Sequence, residues 1–233
     1  MVGWASSLAC VEPTLRDSSK SFWRGKRVLV TGHTGFKGSW LSIWLNSLGA
    51  KVSGLSLAPD STSLFVQADI ERHVDHFVAD IRSKDAVRRI FDLVNPEIVI
   101  HMAAQALVRS AYANPIETYE ANVLGTAHIL ESARHQKNLK AMVIVTSDKC
   151  YENNEWQWGY REVDKLGGHD PYSSSKACTE LLTQSFIRSF FVGTGLSVAT
   201  ARAGNVIGGG DWAVDRLVPD LVRASINRAP ISI

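Results

Sequence analysis

The stretch from Arg27 to Leu45, RVLVTGHTGFKGSWLSIWL, restricts the possible folds more than any other part of the chain. Val28, Leu29 and Val30 form a short apolar run suited to a buried strand. Thr31 to Gly38 follow as a glycine loop. Ser39 to Leu48 reads as a helix, because Trp40, Leu41, Trp44, Leu45 and Leu48 recur on one helical face. Strand, glycine loop and helix in that order make a dinucleotide-type site. Gly32 permits the tight turn, Gly35 lets the backbone approach a pyrophosphate, and Gly38 lets the helix pack close to the strand. His33, Thr34, Phe36 and Lys37 stand between them in the same loop, and the helix N-terminus adds free N–H groups and a positive dipole.

Bulk properties narrow the class. At 233 residues, 45% hydrophobic and 21% charged, the chain suits one globular domain with a full core. With a net charge of +2 and no basic run, nucleic acid is not an expected partner. No apolar run reaches the ~18 residues of a membrane helix, so no membrane partner is expected either. Residues 1–21 lack the basic start and sustained apolar core of a secretory signal and read as a loose leader, which leaves 22–233 as the folded domain. Cys10, Cys150 and Cys178 have no metal-ligand spacing. Their sparse, odd number fits a reducing, cytoplasmic compartment. The seven histidines form no metal motif, so no metal is expected, and surface or capping roles are the better reading.

Five further strands follow. Lys51 to Leu57 ends without the acidic residue that often holds a ribose in NAD-binding units, and no arginine replaces it. His76 to Ala79 runs into Asp80-Ile81, where the carboxylate either meets an adenine amino group or caps the helix from Ser83 to Val94. Glu97 to Met102 runs into Ala103-Ala104-Gln105, small residues first, which let backbone lie flat against a ligand. A long helix, Ile116 to Arg134, encloses Asn122, an amide of poor helix propensity. It is expected to fix a backbone kink or a water near the cofactor rather than to take part in chemistry. Ala141 to Thr146 is apolar enough to be buried on both faces. Leu196 to Arg202 is the sixth strand, and PISI at the end reads as another just begun. Strands alternating with helices predict a parallel, doubly wound Rossmann-type α/β sheet.

Ser147, Asp148 and Lys149 directly follow the fifth strand, at the edge where open α/β sheets bind ligands, although a solvated loop would read the same way. Asp170-Pro171 then opens a helix carrying Tyr172 and Lys176, four residues apart and therefore on one face. A free tyrosine titrates near ~10. A neighbouring ammonium favours its anion, which makes Tyr172 a usable proton acceptor from an alcohol. The loop AGNVIGGGDW offers Asn205, Asp211 and Trp212 to a polar, partly flat ligand, with Arg216 for its phosphates. Gln105, Ser147, Asn205 and Arg216 are thus the candidate substrate-holding residues.

The G-x-x-G-x-x-G spacing, with HMAAQALVRSAY, TSDKCYEN, DPYSSSKACTE and RAGNVIGGGDWAVDRLVPD, resembles the extended short-chain dehydrogenase/reductase family. Within it, the chain looks like the CDP-glucose branch of the nucleotide-sugar 4,6-dehydratases, because Ser147-Asp148-Lys149 stands where other branches carry Thr-Asp-Glu. The resemblance implies NAD as cofactor and CDP-glucose as the nucleotide-sugar substrate. NAD takes hydride from C4, water leaves C6, and the hydride returns to C6. Ser147 would bind O4, Tyr172 take its proton, and Lys176 position the cofactor ribose and lower the Tyr172 pKa. Asp148 would serve as acid toward the leaving hydroxyl and Lys149 as base at C5. Their free values lie near ~3.9 and ~10.4, and desolvation in a closed site is expected to outweigh their mutual attraction. A related epimerase or decarboxylase, or a non-catalytic NAD-binding module, stands as the alternative. The family also implies a homodimer through the helices at 116–134 and 172–191. Its members run on into a C-terminal substrate lobe, so the expectation here is a dehydratase with that lobe truncated.

Overall fold

The computed structural model describes residues 20–230. The expected leader, up to residue 19, and the closing strand from residue 231 lie outside the described residues. Six strands, β1 (Arg27–Thr31), β2 (Lys51–Ser56), β3 (Asp75–Val78), β4 (Ile98–His101), β5 (Ala141–Val145) and β6 (Ser197–Ala201), pair in parallel in the order β3-β2-β1-β4-β5-β6. The order reverses between β1 and β4, the switch point at which open α/β sheets of this kind bind ligands, in the crevice beyond the C-terminal ends of the strands. Successive β1 residues serve opposite faces of the sheet. Leu29 joins the cluster of Leu55, Val99, Met142, Ile144, Ile129 and Phe91, while Val28 and Val30 pack with Leu45, Val52 and Ile98 on the other side.

The helices are α1 (Phe36–Ser47), α2 (Leu64–Gln67), α3 (Lys84–Val94), α4 (Val108–Ala113), α5 (Pro115–Tyr119), α6 (Gly125–Arg134), α7 (Pro171–Phe186) and α8 (Leu217–Asn227). Three differences from the sequence reading matter. First, α1 begins at Phe36, three residues earlier than expected, so Gly38 lies inside the helix. Its buried stripe is Gly38, Ser39, Ser42 and Leu45, while Trp40 and Trp44 are 48% and 62% exposed. Small residues win the inward face because the helix runs too close to the sheet for indole rings. Second, the long helix at 116–134 is interrupted by a π turn, Glu120–Leu124, that contains Asn122. Third, α2, α4 and α8 are helices to which the sequence reading assigns no element.

Caps follow local chemistry. Asp170 accepts from Ser173 N at the start of α7, and Pro171 occupies the first helical position, where its missing N–H costs nothing. Ser83, not Asp80, caps α3, accepting from Ala86 N. Asp80 is turned instead to Arg82, whose guanidinium holds its carboxyl below the usual range. Two histidines expected on the surface are buried, because both find polar partners inside. His101 bridges Thr31 and Thr126, and His33 meets His76 at 2.7 Å. Burial lowers their pKa values to about 3 and about 4, so both are neutral.

One buried charge ties α7 to the sheet. Glu180 is fully buried and accepts hydrogen bonds from Thr146, Thr200 and Arg202 at 2.5, 2.9 and 2.9 Å. Burial pushes its pKa up, but these bonds and the Arg202 charge outweigh it and hold the carboxyl below its usual value. We expect Glu180→Ala to cost about 1–3 kcal/mol at neutral pH, since it removes the acceptor of three hydrogen bonds and leaves Thr146 and Thr200 without that partner, while Arg202 keeps Tyr151 and the Glu162 carbonyl. A carboxylate with a depressed folded-state pKa contributes stability above its unfolded pKa and loses it as pH falls. The gap between wild type and variant in urea unfolding should therefore narrow on acidification below about pH 4. An unchanged gap would mean that the pair contributes through packing alone.

Candidate active site

The site is built from the C-terminal ends of β1, β4 and β5 and the start of α7. Thr31 Oγ1, at the end of β1, accepts from the backbone N–H groups of Met102 and Ala103, both at 3.1 Å, and so fastens the loop after β4 to the glycine turn. Gly32 has φ +74, and a side chain there would come within 2.8 Å of Ala103 N. At Gly38 a Cβ would lie 2.1 Å from Gly32 O. Only bare backbone fits where α1 meets the turn. No side chain caps α1, so its first-turn N–H groups are left to an outside acceptor.

The side chains around this turn do not all face it. His33 lies wholly in the interior, and Thr34 bonds Ser56 Oγ and Leu57 O at the end of β2. Ile81 belongs to the core beneath Gly125, so its backbone alone borders the crevice. The Gln105 amide is spent inside the protein, donating to Leu107 O and Thr118 and accepting from Leu107 N, which takes it away from a substrate. Ala103 and Ala104 remain as small, partly exposed backbone. Asn122 accepts from Gln105 N and donates to Gln105 O and to Ser175 Oγ. It is a brace that fixes the loop after β4 against α7, and the π turn aims it there.

Cations gather beside the turn. Lys37 is half-buried and Lys176 buried, and among the described residues neither forms an ion pair. Arg216 Nε is buried with no hydrogen-bond partner, and its nearest acid, Asp211, is 3.9 Å away. Burial and the charge of Lys37 lower Lys176 to about 8. Burial, then Arg216, lowers Lys37. Unspent helix N–H groups, a glycine cradle and a gathering of cations with only long or single polar contacts (Arg216 to Asp211 at 3.9 Å, Lys176 to Val145 O at 3.4 Å) together suit an anionic, pyrophosphate-bearing ligand.

At the tip of β5, Ser147 Oγ donates to Asp148 Oδ1 at 3.1 Å, and Lys149 Nζ donates to Asp148 Oδ1 at 3.3 Å and to Asn205 Oδ1 at 3.2 Å. Tyr172 faces Ser147. Burial raises its pKa, against which Ser147 and the Arg216 charge act. The cation favouring the phenolate here is thus Arg216, whereas Lys176 donates to Val145 O. The expected desolvation of Asp148 and Lys149 is not met by the described residues: their side chains are 52% and 40% exposed. A cleft of about 1000 Å³ opens beside them, with Tyr151, His169, Asp170 and Arg202 in its wall. Tyr151, which belongs to the TSDKCYEN stretch, and His169, which belongs to no motif, carry no role in the sequence reading, because only the fold of 150–170 brings them to the cleft.

We expect the Lys176 ammonium to titrate near 8 and Lys37→Met to move that titration upward, since it removes a like charge. NMR of ¹³C-labelled lysine side chains across pH measures it. An unmoved titration would show that burial alone sets the value.

The family model described as "NAD dependent epimerase/dehydratase family" matches residues 28–233. The chain is 53% identical over 220 residues to the CDP-glucose 4,6-dehydratase of Salmonella typhimurium, covering 92% of this chain and 61% of the relative. Among solved structures, it resembles the UDP-glucose 4-epimerase of Thermotoga maritima determined with UDP-glucose, at 25% identity and TM-score 0.77, covering 88% of this chain and 65% of that one. It also resembles the Thermus thermophilus UDP-glucose 4-epimerase in complex with NAD, at 26% identity and TM-score 0.72, covering 88% and 64%. The chain spans under two thirds of the length of each of these three proteins.

Proposed function

We propose, from the premise that the chain belongs to the NAD dependent epimerase/dehydratase family, that it forms the cofactor-binding and catalytic part of a dehydratase converting CDP-glucose to CDP-4-keto-6-deoxyglucose. The observation that carries this reading is the Ser147-Asp148-Lys149 cluster, in which acid and amine lie 3.3 Å apart at the strand tip that faces Tyr172. An epimerase needs the tyrosine and lysine but no such acid–base pair. The likeness to the Salmonella enzyme supports the same choice.

NAD fits the cradle. The turn from Gly32 to Gly38 would hold its pyrophosphate, Asp80 and the Ile81 backbone would border the adenine, Ala103 and Ala104 would lie against the dinucleotide, and Lys176 would hold the ribose. Bound there, it supplies a hydride acceptor for C4 and a donor for C6. The chain's own residues do the rest. Ser147 donates to O4 and holds it, and Tyr172 accepts the O4 proton. Once C4 is a ketone the C5 proton is acidified, and Lys149 takes it. Asp148 gives a proton to the hydroxyl leaving C6, so water departs with its charge balanced. Asn205 and Arg216 hold the substrate's polar groups and phosphates. For this exchange Asp148 must be protonated and Lys149 neutral, and covering of the exposed pair by substrate supplies the desolvation that both need. The same reading makes the protein a cytoplasmic homodimer. Exposed Ile116, Leu124 and Leu181 along the helices at 116–134 and 172–191 support an apolar pairing face.

Incubation with CDP-glucose and NAD should yield a 4-keto-6-deoxy product, read by its absorbance in alkali. Asp148→Asn and Lys149→Met should each slow elimination by about 10²–10⁴-fold while hydride transfer from C4 persists. If neither variant slows elimination, the acid and base roles are wrong. NAD binding without turnover would favour a non-catalytic module.

A further inference from the structure

The loop after β6 does more than carry Asn205 and Arg216. It starts beside β5, where Asn205 meets Lys149 and Gly204 lies against Asp148. It then reaches α1 and α2, the helices that follow β1 and β2. Trp40 Nε1 donates to Gly209 O at 2.9 Å. The backbone of Gly208 lies so close to Phe36 that a Cβ would come 3.0 Å from its Cζ. Gly210, at φ +81, rests on Leu64, and a Cβ there would be 2.7 Å from Leu64 Cβ. Downstream, Arg223 donates to the Trp212 and Ala213 carbonyls at 2.9 and 3.1 Å, and Arg109 pairs with Asp215 at 3.0 Å.

The sheet order is β2-β1-β4-β5-β6, so a segment anchored beside β5 and again on α1 and α2 crosses the C-terminal ends of β4 and β1. Those ends hold the glycine turn. Two of the three consecutive glycines are what the crossing requires: Gly208 and Gly210 lie where a side chain would strike Phe36 and Leu64, while Gly209 between them has open space and presents its carbonyl to an indole. Trp40, on the exposed flank of α1, is otherwise an unexplained aromatic.

We propose that residues 204–212 form a strap across the dinucleotide crevice and that Trp40 is the positioning residue that latches it, holding the cofactor in place between turnovers. This rests on the proposed dehydratase reading, in which the hydride removed at C4 must return to C6 on the same cofactor molecule. Release between the two steps would abort the reaction, so slow dissociation is a requirement of the chemistry. The strap acts after the dinucleotide has entered, and its loss therefore speeds exit more than it alters entry.

The test is stopped-flow dissociation of NADH from the 233-residue chain, chased with excess NAD and followed by nicotinamide emission. Trp40→Phe keeps a ring on α1 and removes the N–H donor. It should release NADH about fivefold faster, the scale of one lost hydrogen bond, with association changed less than about twofold. Gly210→Ala, which strains the backbone and strikes Leu64, should speed release as well. A merely structural role for Trp40 would lower the melting temperature without splitting exit from entry. Tight NADH binding with unchanged release in both variants would overturn the strap alone. A chain that binds no NADH would overturn the dehydratase reading together with it.

Discussion

The closeness of α1 to the end of β1 is the contact on which the rest of the site depends. At Gly38 even one added carbon would come 2.1 Å from Gly32 O, so the helix approaches the turn with nothing between them but backbone. That approach points the first-turn N–H groups of α1 into the crevice at the switch between β1 and β4. It also explains the otherwise costly gathering of Lys37, Lys176 and Arg216 in partly dry surroundings. Burial first, and then their mutual repulsion, lowers the affinity of Lys37 and Lys176 for protons, and an anion held by the same turn would relieve the repulsion.

The candidate site residues fall into two environments. Tyr172 and Lys176 stand on α7, buried against the sheet and braced through Asn122 and Ser175 to the loop after β4. Asp148 and Lys149 stand at the tip of β5 and remain half in water. The first pair is set by the fold itself. The second stands partly in water and would be desolvated only by a ligand that covers it. The loop after β6 ties the second pair to the glycine turn, since Asn205 meets Lys149 at one end and Gly209 meets Trp40 of α1 at the other.

Much of the architecture was legible because it rests on local chemistry. The β-branched and apolar runs at 28–30, 98–100 and 142–145 are strands in any reading, and Asp170-Pro171 fixes the start of α7 within one residue. The reading failed where one element's environment was decided by another. The helical period puts Trp40 and Trp44 on one face with Leu45, but the buried stripe is Gly38, Ser39, Ser42 and Leu45, because the closeness of the sheet leaves no room there for indoles. Asp80 sits where a cap is expected, yet Ser83 three residues later takes the role and Arg82 takes the carboxylate. Gln105 lies at the right strand end for a ligand contact, but its amide is consumed by Leu107 and Thr118.

The sequence by itself determined the alternation of strands and helices, the glycine turn and the set of residue types able to move protons, because these depend on side-chain chemistry and on neighbours a few positions away. Only the tertiary structure decided which side chains face the crevice, which cation acts on Tyr172, how far Asp148 and Lys149 are from dry, and that the loop after β6 lies across the site. Each of those is set by groups tens of residues apart, and the distance between them exists only once the sheet has formed.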